Sequence, residues 1–142
     1  MTGSTVPVRG RRHQARELAL QVLFQLESDP EAEPDEVLAY HAREIAAPPV
    51  TAEFAAELVH GVLANGERLD TTIREASTNW SLEQMGKVDR MVLRIAIYEI
   101  AIARDVPVRA AINESIELAK TYAGADSGRF VNGILGRVAQ AP

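Results

Sequence analysis

Four arginines and a phenylalanine near the start of the chain have the chemistry needed to bind a polyanion. The first 16 residues contain no acidic residue and four arginines, Arg9, Arg11, Arg12 and Arg16. Guanidinium groups donate paired hydrogen bonds to phosphate. Phe24 lies two i+4 steps beyond Arg16, where its ring can stack on an unpaired base. The pattern is compatible with RNA contact, but by itself a solubilising tail, and a core position for Phe24, are the more common explanations, so a second signal is needed.

Charge is unevenly distributed along the chain. The formal net charge is -5, and the ten acidic residues between positions 17 and 57 are accompanied by one basic residue, Arg43. Residues 58 to 142 contain ten acidic and ten basic residues. Because salt screens charges beyond about 8 to 10 Å, a local arginine cluster attracts a polyanion even in an acidic protein.

Length and composition predict one globular domain. The chain has 142 residues, of which 46% are hydrophobic and 25% charged, values typical of a packed domain. We expect a single domain over residues 1–142, with residues 1–8 as a disordered arm. Cysteine is absent, which excludes disulfides, cysteine zinc sites and thiol nucleophiles. Without a membrane-length apolar run or an apolar signal region, we expect a cytoplasmic protein with no membrane partner.

No motif for catalysis or cofactor binding stands out. The histidines, His13, His41 and His60, lack paired metal-ligand spacing. The sequence has no P-loop, no dinucleotide-binding glycine motif and no nucleophile elbow. Its carboxylates favour a solvated acidic face over an acid–base pair. We therefore predict no metal, no cofactor and no enzymatic activity.

The spacing of apolar residues predicts about seven helices and no strand. Gly61 and Gly66 predict a bend in the longest of them, because an interior glycine weakens a helix. The predicted segments run from about His13 to Leu26, from about Asp35, from Thr51 to about Ala76, from Lys87 to about Arg104, from Val108 to a cap at Gly124, and from Asp126 or Ser127 onward.

A helix start is predicted around Ser81. Ser81 and Gln84 have the spacing of a capping box, in which each residue satisfies the other's main-chain amide. Trp80 and Met85 occupy the flanking positions of a hydrophobic staple. Trp80 is therefore interpreted as structural.

Several ordered blocks of the sequence closely resemble the NusB family. They are residues 12–17 (RHQARE), 88–100 (VDRMVLRIAIYEI), 105–107 (DVP), 111–120 (AINESIELAK) and 130–135 (FVNGIL). The resemblance covers about residues 9 to 138. It implies the all-α NusB-like fold, with about seven helices in two packed helical sub-bundles. It also implies a transcription antitermination factor that binds the boxA element of nascent ribosomal RNA together with NusE, a ribosomal small-subunit protein. Such a factor acts with other Nus factors on elongating RNA polymerase.

The resemblance also implies two sets of site residues. The RNA-binding set comprises the arginines with Phe24, and Tyr122, Asp126, Arg129 and Phe130. Core positions for Tyr122 and Phe130, and a helix cap at Asp126, are the alternatives. The NusE-facing set comprises Glu83 and Asp89, whose carboxylates equally suit the first turn of a helix.

Two other functions are weighed against antitermination. The first is a stand-alone targeting module related to the RNA-binding domain of ribosomal RNA cytosine methyltransferases. The second is a helical scaffold that binds only protein, which predicts that the arginines make no contribution to RNA affinity.

Overall fold

The computed structural model describes residues 8–78 and 80–140, with side chains from residue 10 onward. The predicted disordered arm, residues 1–8, lies outside the described residues except for Val8, and so does the side chain of Arg9. The described residues form seven α-helices and no strand, which confirms the all-α prediction. The helices are α1 (Val8–Ser28), α2 (Pro34–Glu44), α3 (Pro49–Ala64), α4 (Gly66–Ala76), α5 (Lys87–Ile97), α6 (Val108–Ala123) and α7 (Ala125–Gln140).

The chain divides into two compact units, residues 1–60 and 61–142. In the first unit α1 packs against α2. Leu18 and Val22 of α1 and Val37 and Leu38 of α2 are buried, as their helical spacing predicts. The expectation that residues 1–142 form one domain stays a prediction.

Helix α1 begins at Val8, before the predicted start near His13. Arg9, Arg11 and Arg12, which precede the predicted helix start, therefore lie in the first turns of the helix. Arginine has a high helix propensity, and the single glycine of this segment, Gly10, costs only about 1 kcal/mol. These arginines thus belong to regular helix.

The predicted long helix from Thr51 to Ala76 is two helices. The break falls at Asn65, between α3 and α4, and its side-chain amide donates a hydrogen bond to the Gly61 carbonyl at 2.7 Å. Thr51, the predicted start of the helix, lies inside α3, which begins at Pro49. Proline suits a first helical position because it lacks the amide that would go unbonded there.

The second unit is built around α5. Fully buried apolar side chains come from four helices: Leu69 and Ile73 of α4, Leu93 and Ile95 of α5, Leu118 of α6 and Leu135 of α7. Arg94 of α5 binds Asp70 of α4 through two hydrogen bonds, of 2.7 and 3.0 Å. Arg137 of α7 donates to the Ala76 carbonyl at 2.8 Å. In addition to the apolar core, polar contacts therefore join α4 to α5 and to α7.

Helix α5 continues into a π-helical segment, Tyr98–Ala103, instead of extending unchanged to Arg104 as predicted. Arg104 ends the segment with a left-handed backbone (φ 55°). At Gly61 a side-chain carbon would lie 2.2 Å from the Tyr98 ring, so only glycine permits this approach.

Two predicted helix-end signals are confirmed. The Ser81 amide donates to Gln84 Oε1 at 2.9 Å, and the Gln84 amide donates to Ser81 Oγ at 3.3 Å, which is the predicted capping box. It opens a short 3₁₀ turn, Leu82–Gln84. Gly124 ends α6 with a positive φ of 94°. Among the described residues, no helix combines the length and apolarity required to cross a membrane.

Candidate nucleic-acid interface

The predicted RNA-binding residues fall into two groups, one in each unit. The α1 surface consists of Arg9, Arg11, Arg12, Arg16 and Phe24; the α7 surface consists of Tyr122, Asp126, Arg129 and Phe130. Members of the α1 surface share one helix, so helical spacing decides which side chains lie side by side. Tyr122 lies in the last turn of α6, and the other three residues occupy the first turns of α7, which packs against α6.

Arg16 differs from the other described arginines of the α1 surface because it is buried. Only 3% of the residue is exposed, whereas Arg11 and Arg12 are half-buried. A buried guanidinium requires hydrogen-bonded or charged neighbours, because leaving a charge unpaired in a core is costly. Arg16 therefore has a packing role in the fold, while Arg11 and Arg12 present part of their side chains to solvent.

Arg12 makes a contact that the sequence analysis missed. Its guanidinium carbon lies 4.3 Å from the centre of the Phe54 ring, a cation–π arrangement. Phe54 is on α3, within a predicted helix to which no site residue was assigned. The ring restricts where the guanidinium can lie, so folding itself positions one of the predicted phosphate-binding groups.

Phe24 is on the surface and not in the core. It is 39% exposed, while Leu20, one turn earlier on the same helix edge, is almost fully buried. The alternative core assignment is therefore wrong. The exposed ring has the accessibility that stacking on a base requires.

Arg129 and Asp126 pair on the outer face of α7. The guanidinium donates to the carboxylate one turn earlier, and the two side chains are 72% and 95% exposed. Asp126 is the second residue of α7, not its cap, and suits the positive end of the helix dipole. Such an exposed pair contributes little to stability, so Arg129 can exchange this partner for a phosphate at low cost.

Phe130 packs against Trp80. The two rings meet edge to face, with centroids 6.3 Å apart and planes at 83°. Phe130 is half-buried, but Trp80 is 52% exposed. Packing in a hydrophobic staple therefore accounts for only part of the surface of Trp80. Tyr122 is also exposed, which rules out a core position. An exposed tryptophan beside a predicted base-binding ring is the feature that sequence reasoning missed.

The predicted NusE-facing residues lie at helix starts in the second unit. Glu83 is exposed in the 3₁₀ turn, and Asp89 is half-buried in the first turn of α5. The Ser127 hydroxyl of α7 donates a hydrogen bond to the Asp89 carboxylate. This bond links a predicted protein-facing residue to the helix that carries three residues of the α7 surface.

Within residues 10–78 and 80–140 no cluster of three histidine or acidic side chains is arranged to hold a metal ion. Two histidines instead form pairwise contacts. His41 Nε2 lies 2.7 Å from Gln25 Oε1, and His60 Nε2 lies 2.7 Å from Asp35 Oδ1.

Together the helices and the two surfaces define an all-α protein that combines arginine and aromatic side chains, a combination typical of proteins that bind single-stranded RNA. The chain belongs to the NusB family, whose model matches residues 13–140. That span includes α2 to α7 and most of α1. The prediction of a non-enzymatic protein agrees with this assignment.

Curated relatives carry the same family name. The chain is 48% identical over 129 residues to the transcription antitermination protein NusB of Heliobacterium modesticaldum; the match covers 91% of this chain and 62% of that protein. It is 47% identical over 132 residues to the transcription antitermination protein NusB of Desulfitobacterium hafniense, with coverage of 92% and 88%. The chain thus spans somewhat less than two thirds of the first relative and most of the second.

Solved structures share the fold. T. maritima NusB is 35% identical with a TM-score of 0.83, covering 91% of this chain and 90% of that one. The crystal structure of the antitermination factors NusB and NusE in complex with dsRNA contains a chain that is 26% identical, with a TM-score of 0.84 and coverage of 93% and 98%. The predicted NusB-like fold is therefore confirmed.

Proposed function

We propose that this protein is a cytoplasmic transcription antitermination factor. It binds boxA RNA of nascent ribosomal RNA transcripts together with NusE and acts, with other Nus factors, on elongating RNA polymerase. The family match over residues 13–140 carries the proposal. The relatives named as transcription antitermination proteins support it, and so does the related structure of NusB and NusE with RNA.

The two surfaces suit complementary parts of a single-stranded RNA. Arg11 and Arg12 supply cations for phosphates, a contact that is independent of base sequence. Phe24 and Tyr122 are exposed aromatic rings on which unpaired bases can stack. The second unit also contains the acidic residues Glu83 and Asp89. Their negative charge suits contact with a basic ribosomal protein. The protein therefore works as a binding adaptor.

Equilibrium titration with fluorescently labelled boxA RNA tests the proposal. A scrambled RNA of the same composition is the control, and each titration is repeated with and without NusE at several salt concentrations. We expect preferential boxA binding that NusE tightens. Three to four phosphate contacts predict a log–log salt slope of roughly -2 to -3, because each contact in a single strand contributes about -0.7.

Two results would contradict the proposal in different ways. If NusE binds and RNA adds nothing, the protein is a protein-binding scaffold and the α1 surface has no RNA ligand. If neither RNA nor NusE binds, this chain has the family's fold without its function.

A further inference from the structure

Trp80 presents a large aromatic surface that the fold does not bury. It is 52% exposed and meets Phe130 edge to face. A perpendicular pair of this kind covers at most one face of the indole. Met85, its predicted staple partner, is buried, whereas about half of Trp80 stays exposed to solvent.

Hydrogen bonds hold the Trp80 carbonyl and the main chain that follows it. Ser77 Oγ donates to the Trp80 carbonyl at 2.8 Å, and the Ser81 amide donates to Gln84 Oε1 at 2.9 Å. A side chain that projects from a fixed backbone loses less conformational entropy when it binds. Trp80 is thus presented to solvent from a pre-formed position.

We propose that Trp80 is a further base-binding residue: an unpaired RNA base stacks on its exposed indole face, next to the ring of Phe130. This inference rests on the proposed RNA-binding function and names a contact within it. A base is favoured over a protein side chain because Trp80 meets Phe130, a predicted base-binding residue, and because Arg129, in the same turn of α7, is 72% exposed. A cation that can bind phosphate and rings that can stack on bases are the two contacts that single-stranded RNA uses.

Intrinsic fluorescence offers a direct test, because Trp80 is the one tryptophan of the chain. Emission is followed while boxA RNA is titrated into the full-length protein, and binding is measured in parallel by the anisotropy of labelled RNA. We expect emission to be quenched with the same midpoint as the anisotropy change. A scrambled RNA that binds more weakly should quench at correspondingly higher concentration.

Substitutions separate stacking from charge. Trp80→Ala should weaken boxA binding by roughly 5- to 150-fold, the range for a lost base–aromatic stack, and Trp80→Phe should stay within about threefold of the parent. Stacking releases no counterions, so Trp80→Ala should leave the salt slope unchanged, whereas Arg129→Ala should make it shallower. Circular dichroism and thermal unfolding check that both Trp80 variants fold. If Trp80→Ala does not fold, the fluorescence titration of the parent protein still tests the stack.

Other outcomes would overturn the inference. If RNA binds, emission does not change and both Trp80 variants bind like the parent, the stack is absent while the proposed function stands. If Trp80→Ala weakens NusE binding and leaves RNA affinity alone, Trp80 contacts protein instead of a base. If the parent binds no RNA under any condition, the proposed function fails and this inference fails with it.

Discussion

The α1 and α7 surfaces contain similar residue types but hold them in different ways. On α1, Arg12 lies over the Phe54 ring, so tertiary packing positions this cation, while Arg16 is buried in the fold. On α7, the ion pair of Arg129 is open to water, since its partner Asp126 is almost fully exposed. A cation that packing already positions binds phosphate with little further loss of conformational entropy. A cation in a surface ion pair must first give up its carboxylate partner. We infer that α1 contributes most of the salt-dependent affinity and that the α7 surface with Trp80 contributes mainly stacking.

The strongest test of this division removes Arg11 and Arg12, the half-buried cations of α1. In the double variant Arg11→Ala/Arg12→Ala we expect boxA affinity at low salt to fall about 100-fold, because two charged hydrogen bonds together contribute about 3 kcal/mol. The salt slope should become shallower by about 1.4, which is two phosphate contacts in a single strand. Anisotropy titrations at several salt concentrations measure both quantities.

The matched control is Arg43→Ala/Arg68→Ala, which removes two exposed arginines of α2 and α4. It lowers the net charge equally but touches neither surface. If the two double variants lose affinity equally, general charge and not the α1 surface attracts RNA, and the comparison between the surfaces fails.

The next largest effect is expected from loss of the hydrogen bond between Ser127 of α7 and Asp89 of α5. Ser127→Ala removes the hydrogen bond that the hydroxyl donates to the Asp89 carboxylate. We expect the free energy of unfolding to fall by about 1.5 kcal/mol, at the low end for a bond to a charged group because Asp89 is only half-buried. Denaturant titration measures the change. Thr71→Ala, which removes an exposed hydroxyl on α4, should change stability by less than about 0.5 kcal/mol.

An equal effect of Ser127→Ala and Thr71→Ala would show that water replaces the Ser127–Asp89 bond without cost. The anchoring of α7 to α5 would then rest on apolar packing alone. RNA salt dependence should be unaffected by either change, because neither alters a charge.

A smaller change, of opposite sign, is expected at Asp126. Asp126→Asn removes a carboxylate from the α7 surface and leaves Arg129 without its anionic partner. RNA affinity at low salt should rise by up to about fivefold, since exposed ion pairs contribute at most about 1 kcal/mol. The gain should disappear at high salt, because salt screens exposed charges. Asp29→Asn, in the loop after α1, is the control; a gain as large as that of Asp126→Asn would attribute the effect to net charge alone.

Structural features that depend on short-range spacing were predicted correctly from the sequence. The capping box of Ser81 and Gln84 and the glycine end at Gly124 each depend on residues within one turn, and both are confirmed. The buried stripe of α1 follows in the same way from helical period. The break at Asn65, between α3 and α4, was predicted only approximately from Gly61 and Gly66. Glycine lowers helix propensity but does not decide at which residue a helix stops.

The missed features depend on residues that are far apart in sequence. No local pattern pairs Arg12 with Phe54 or distinguishes the buried Arg16 from its half-buried neighbours. Trp80 was assigned a structural role from its position before a capping box, but tertiary packing left half of it exposed next to Phe130. The nature of the surfaces was predictable from composition and family resemblance; the way each side chain is held was not.

The smallest expected effect concerns how Arg12 is held. Phe54→Leu keeps apolar bulk on α3 but removes the ring beneath the guanidinium, so Arg12 loses an interaction of about 0.5 kcal/mol, the low end of the range for such contacts. If Arg12 binds phosphate from its place over the ring, affinity should fall about two- to threefold with an unchanged salt slope, because the charge itself remains. Anisotropy titration of the Phe54→Leu protein against the parent measures the difference, and Phe54→Tyr, which keeps an aromatic face, should match the parent. Tighter binding by Phe54→Leu would mean that Arg12 must leave the ring to reach RNA. The ring would then compete with phosphate, and α1 would be no better preorganised than α7.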